Sequence, residues 1–190
     1  MTSSIIVLAA NFAAERHRHQ RRKDEHASPY INHPLHVAHL LSEVGGIIDA
    51  QIIVAALLHD TIEDTDTTPA QIADLFGERV RDLVMEVSDN TQLVSLERKR
   101  LQIDRAPLLS HGAVLIKLAD KTSNIRDIIQ SPPRGWGIDR RQRYVDWAQA
   151  VIDRCQPANA ALESLFHATT AEARQALALL EHRADTELKA

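Results

Sequence analysis

Ala55-Ala56-Leu57-Leu58 runs directly into His59-Asp60 and, one helical turn later, into Glu63-Asp64. An apolar run of this kind belongs in a core, and it carries an imidazole and a carboxylate in with it. An unpaired ionised carboxylate is strongly disfavoured away from water, so the pair requires a cation or a set of hydrogen bonds. His59 and Glu63 are four apart, as are Asp60 and Asp64, so a continuous helix stacks an acid beside each ligand-type side chain. A divalent metal with an adjacent base satisfies all four groups.

Two further segments extend this reading. Pro29-Tyr30-Ile31-Asn32-His33-Pro34 places a histidine just before a proline suited to a first helical turn, and Leu115-Ile116-Lys117-Leu118-Ala119-Asp120 ends a buried run in a carboxylate. The expected ligands are therefore His33, His59, Asp60 and Asp120. Two imidazoles and two carboxylates suit a borderline-to-hard ion, with one Mn²⁺ preferred over a thiolate-type zinc site, and leave positions for water and substrate oxygen. Each residue alone has a plainer role: His33 as a helix-start cap, Asp120 as a partner for Lys117, Lys121 or Arg126. His36 and His39 stay outside the ligand set, since residues 33 and 39 diverge around a helix. His17 and His19 are assigned to a basic surface.

The periodicity is helical throughout, and the expected fold class is all-α. Ile5, Leu8 and Phe12 form one stripe, and Val37, Leu40, Leu41 and Val44 form another ahead of Gly45-Gly46. Asp49 is placed to cap the helix leading to the His-Asp pair. Thr67-Thr68-Pro69 opens the next, which closes at Gly77. Further helices are expected near 78–89, 95–106, 112–130, 139–155 and 158–166, with a terminal helix near 171–187. Ser131 to Gly137, with paired prolines and two glycines, is the main interruption.

The 190 residues read as one domain, 44% hydrophobic and 25% charged, and the net charge of -4 argues against nucleic acid as a partner. Cys155 is the only cysteine, which excludes an intrachain disulfide and points to the cytoplasm. The apolar start at Ile5 to Ala10 lacks a basic lead and is soon followed by Asn11 and Glu15, unlike a signal peptide or membrane span. A homo-oligomer is compatible with this composition. Arg16, Arg18, Arg21, Arg22 and Lys23 concentrate positive charge, which taken alone reads as a solvated helix face.

The ordered set Gln20-Arg21-Arg22-Lys23-Asp24, Pro29 to Pro34, Ala55 to Thr68, Leu96-Glu97-Arg98-Lys99-Arg100-Leu101-Gln102, Lys117 to Lys121 with Asn124, and Gly135-Trp136 resembles the metal-dependent His-Asp (HD) phosphohydrolases. Within them it is similar to the small alarmone hydrolases, the Mesh1-like relatives of the hydrolase half of bifunctional RelA/SpoT enzymes. The resemblance spans residues 8 to about 165. It implies a compact multi-helix HD fold and removal of the 3′-pyrophosphate from (p)ppGpp, giving GDP or GTP. It matches His33, His59, Asp60 and Asp120 to metal ligands, Glu63 and Asp64 to the acids beside the attacking water, Arg22 to a base-stacking residue, Lys23 to a nucleotide contact and Asn124 to a group near the ribose. The basic cluster then has a reason to be local, at least for Arg22 and Lys23. Arg140 and Tyr144 follow the Gly135-Trp136 loop and either reach the substrate phosphates or pack on the core. Thr122-Ser123, where family members often carry bulkier residues, leaves the adenosine analogues (p)ppApp open as substrates. An NADPH 2′-phosphatase and a non-catalytic nucleotide sensor are the competing readings. A two-metal cyclic-dinucleotide phosphodiesterase lacks the extra histidine ligands it requires.

Overall fold

The computed structural model describes residues 2–187. Ten α-helices follow in order: α1 Thr2–Arg16, α2 Asn32–His39, α3 Ala50–Leu58, α4 Thr61–Asp64, α5 Pro69–Phe76, α6 Glu78–Val87, α7 Ser95–Arg105, α8 His111–Gln130, α9 Ile138–Ile152 and α10 Ala160–Glu187. α2 runs on into a π-helical turn, Leu40–Val44, and α7 into a 3₁₀ turn, Ala106–Leu108. Among the described residues no strand forms, and an isolated bridge between Arg21 and Pro29 closes the loop between α1 and α2.

Local signals set these boundaries. The Asp49 carboxylate accepts from the Gln51 amide at the start of α3. Thr68 and Gln71 form a reciprocal capping box with Pro69 in the first turn of α5. Gly77, at φ 93°, turns the chain from α5 into α6 in a conformation that favours glycine. The expected split between 158–166 and 171–187 does not occur, and α10 is continuous. No glycine or proline interrupts it, and the two threonines at the expected break are buried, Thr170 donating back to the Phe166 carbonyl.

α3 and α8 form the centre. Ile52 to Leu58 are buried on every face of α3, and α8 is buried almost continuously from Gly112 to Ser123. α1 and α2 pack on α3, α6 bridges α3 and α8, and α10 lies along α8 and α9. Burying both central helices on all sides places their polar residues, His59 on one and Lys117, Asp120 and Lys121 on the other, inside the molecule. Such groups persist there only if they satisfy one another or hold a ligand.

Candidate active site

The continuous helix expected through His59 to Asp64 is broken. α3 ends at Leu58, Asp60 sits at φ -97°, ψ -3°, and α4 restarts at Thr61. Side chains satisfy the carbonyls freed by the break: His59 Nδ1 donates to Ala56 O at 2.8 Å and Thr61 Oγ1 to Leu58 O at 2.7 Å. The kink turns His59 and Asp60 together into a cavity of about 150 Å³. The start of α2 brings His33 to it and the middle of α8 brings Asp120.

His33 Nε2 lies 3.7 Å from Asp60 Oδ2 and 3.2 Å from Asp120 Oδ1, and His59 Nε2 lies 3.0 Å and 3.8 Å from the same oxygens. One ligand atom from each of His33, His59 and Asp60 falls within 4.8 Å of the others, with Asp120 beside both imidazoles. Because a carbonyl only accepts, His59 Nδ1 carries a proton, and the neutral ring presents its Nε2 lone pair to the cavity. That Nε2 is buried with no hydrogen-bond partner. A lone pair facing two carboxylates without a donor is what a cation completes, so this donor set fits a divalent metal. Protonation supplies the same charge by another route. Burial pushes the His59 imidazole down, but Asp60 and Asp120 outweigh it and raise the group to about 9. Burial raises the carboxylates, yet His59 and His33 hold Asp60 well below its ordinary range, and Lys121 and His33 do so for Asp120.

A second layer orients the ligands. The Tyr30 hydroxyl donates to Asp60 Oδ2 at 2.6 Å, and Asn124 Nδ2 donates to Asp120 Oδ1 at 2.6 Å. Lys121 Nζ reaches Asp120 Oδ2 at 3.3 Å while lying 4.3 Å from the centre of the Trp147 ring. Ser123 Oγ is 3.2 Å from His33 Nδ1 and 2.9 Å from His36 Nδ1, so its side chain supports a ligand and is not among those lining the cavity. His36 and His39 stay outside the ligand group. His17 is not a surface residue: it is buried, with its ring centre 4.8 Å from that of Tyr30. The Pro29-Tyr30-Ile31-Asn32-His33-Pro34 segment thus contributes Tyr30 as well as His33.

The two acids separate. Glu63 lines the cavity and accepts the Asp89 backbone N–H at 2.7 Å. Burial, reinforced by the charge of Asp60, raises it to about 7. Asp64 is not among the lining residues and accepts from Gln20 Nε2 at 2.8 Å. Successive positions of the short helix α4 point about 100° apart, so only one of the two acids faces the cavity.

The residues assigned to the nucleotide lie on three segments, the loop between α1 and α2, α8 and α9. Arg22 bonds Asn124 Oδ1 and the Asp127 carboxylate, and its guanidinium lies 5.7 Å from the Tyr30 ring centre. Lys23 is exposed, and its carbonyl accepts the Arg134 N–H at 2.7 Å, tying the basic loop to the Ser131 to Gly137 segment. Arg140 lies 4.3 Å over the Trp136 ring. Tyr144 packs between Trp136 and Trp147, and burial raises its hydroxyl to about 12. Of these residues the structure brings Asn124 to the cavity itself; Arg22, Lys23, Arg140 and Tyr144 are not among those lining it.

The HD domain family matches residues 9–147. A Xenopus tropicalis protein named guanosine-3′,5′-bis(diphosphate) 3′-pyrophosphohydrolase MESH1 is 51% identical over 161 residues, covering 85% of this chain and 90% of the relative. The Homo sapiens MESH1 is 52% identical over 158 residues, covering 83% and 88%. This chain is an HD-domain protein of the MESH1 family. A solved structure described as a metazoan ortholog of SpoT that hydrolyzes ppGpp superimposes with a TM-score of 0.86 at 43% identity, over 88% of this chain and 94% of that one. The HD match encloses every candidate ligand, acid and nucleotide-contact residue named above, whereas all of α10 lies beyond it. Among the described residues of this MESH1 relative, no helix is long and apolar enough to cross a membrane.

Proposed function

We propose that this chain hydrolyses the 3′-pyrophosphate of guanosine tetra- and pentaphosphate in the cytoplasm, as a single-domain, manganese-dependent enzyme. The observation that carries the reading is the buried His59 Nε2, without a hydrogen-bond partner and facing Asp60 and Asp120, with Glu63 on the same cavity wall. The names of the MESH1 relatives support the substrate class.

A divalent ion held by His33, His59, Asp60 and Asp120 would place positive charge against a phosphoryl oxygen and acidify water. Glu63, raised toward neutrality, is matched to accept a proton from that water and later release it. Asp64 supports the site from outside the cavity through Gln20 and through its charge near Tyr30. The Arg22 guanidinium offers a flat cation for a purine face, held by Asn124 and Asp127. Lys23 and Arg140 supply exposed charge for the polyphosphate, and Tyr144 packs on Trp136, the ring over which Arg140 lies. Stacking does not distinguish guanine from adenine, so the adenosine 3′-pyrophosphate nucleotides belong in the same test.

Phosphorus NMR of manganese-loaded protein with each nucleotide decides the matter. Pyrophosphate release that vanishes in Asp60→Ala is expected. Orthophosphate release from NADPH without pyrophosphate from either alarmone would replace this reading by a 2′-phosphatase, and binding without turnover would replace it by a sensor.

A further inference from the structure

The Glu97 to Gln102 run of α7 supplies none of the residues assigned above to the metal or the nucleotide. α7 has no fully buried residue, yet Gln102 near its end turns inward and reaches the cavity wall. Gln102 Nε2 donates to Asp89 Oδ2 at 2.7 Å, and the Asp89 backbone N–H donates to Glu63 Oε1 at 2.7 Å. The amide orientation of Gln102 follows from chemistry, because a carboxylate accepts only and must face the NH₂ group. Its Oε1 is then left buried without a hydrogen-bond partner. The segment that carries Asp89 is pinned once more from α8, where buried Lys117 donates Nζ to the Val87 carbonyl at 2.9 Å.

We propose that Gln102 is a positioning residue that fixes Glu63 through Asp89. The inference rests on the hydrolase reading for the work Glu63 does, while the relay itself is a matter of geometry. A carboxylate with one oxygen tied by an N–H keeps the other directed, and that N–H is only as fixed as the loop bearing it. Residues 88–94 join two helices without regular structure, and Gln102 and Lys117 hold that loop from two different elements. Gln102→Glu sets two carboxylates against each other and frees Asp89 to move. Asp89→Asn combined with Gln102→Glu restores the bond with donor and acceptor exchanged: the amide now at position 89 donates to the carboxylate now at position 102.

The test uses the full manganese-loaded chain, with kcat and KM for guanosine tetraphosphate and hydrogen exchange of the residue 89 amide by NMR. In Gln102→Glu, kcat is expected to fall about 10²-fold, the scale of a modest misplacement of a reacting group, with KM within about threefold. The amide at 89 loses protection. The double variant recovers most of both. Single variants that keep kcat within about twofold, or a double variant that loses the sum of the two, would overturn the relay, since neither fits coupled residues. If the wild-type chain releases no pyrophosphate, the hydrolase reading falls, and the amide still decides the relay. Protection lost in Gln102→Glu and regained in the double variant upholds it, and unchanged protection overturns it.

Discussion

Single residues carry the electrostatics of this site, and Glu63 shows how a folded-state pKa becomes a stability. Its ordinary value of 4.5 is raised to about 7 by burial and by Asp60, so the folded chain binds a proton that the unfolded chain has released between those values. The stabilisation from that proton is present below 4.5 and is lost as pH rises through about 7. In chelator-treated protein, Glu63→Gln should therefore melt close to wild type near pH 5 and above it at pH 8, by up to about 3 kcal/mol. Thermal melts at the two pH values check this, and a variant less stable at pH 8 would refute the raised pKa. Pyrophosphate release by the same variant should fall by about 10²-fold or more if Glu63 is the base. Tyr30→Phe removes the 2.6 Å hydroxyl bond to Asp60 and should weaken manganese binding by about 10-fold to 10²-fold, read by calorimetric titration. The ligands were legible in the sequence because imidazole and carboxylate at the ends of apolar runs are conspicuous. Tyr30, Asp89 and Gln102 were not, because their roles depend on which neighbour lies across the cavity.

At the scale of elements, caps and breakers place most helix ends, and the misreadings share one cause. The continuity of α10 through Thr169-Thr170 and the break at His59-Asp60 are both decided by tertiary contacts. Buried threonines continue α10 by bonding back along it, whereas Asp60 stops the helix because its carboxylate is drawn to His33 and His59. Gly45 is decided the same way. Its φ of -74° suits any residue, but an added Cβ would lie 2.7 Å from Leu41 O and 2.9 Å from Leu162 Cδ1. It is therefore kept small by the Leu41 carbonyl of the π-helical turn and by Leu162 of α10 packed against it. Gly45→Ala should destabilise the fold by about 1–3 kcal/mol, the usual cost of forcing atoms into a packed interior. Urea unfolding measures this, and an unchanged midpoint would mean that neither the Leu41 carbonyl nor Leu162 closes on position 45.

Across the whole molecule the site is a junction of segments far apart in the chain: His33 at the start of α2, His59 and Asp60 after α3, and Asp120 in α8. The unfolded chain has no such junction, so an ion that binds these groups binds the native state alone and stabilises it in proportion to the logarithm of its concentration. At about 100 times its dissociation constant manganese should add about 2.7 kcal/mol. For a chain of this length that corresponds to a rise of about 5–10 °C in melting temperature. The shift should be reversed by chelation and absent in Asp60→Ala. The variant isolates the site from general ionic effects: an ion that merely screened a chain of net charge -4 would raise both proteins equally. A rise confined to the wild type therefore places the ion on Asp60, whereas equal rises would remove the metal from the buried junction and leave its carboxylates neutralised by imidazolium and Lys121.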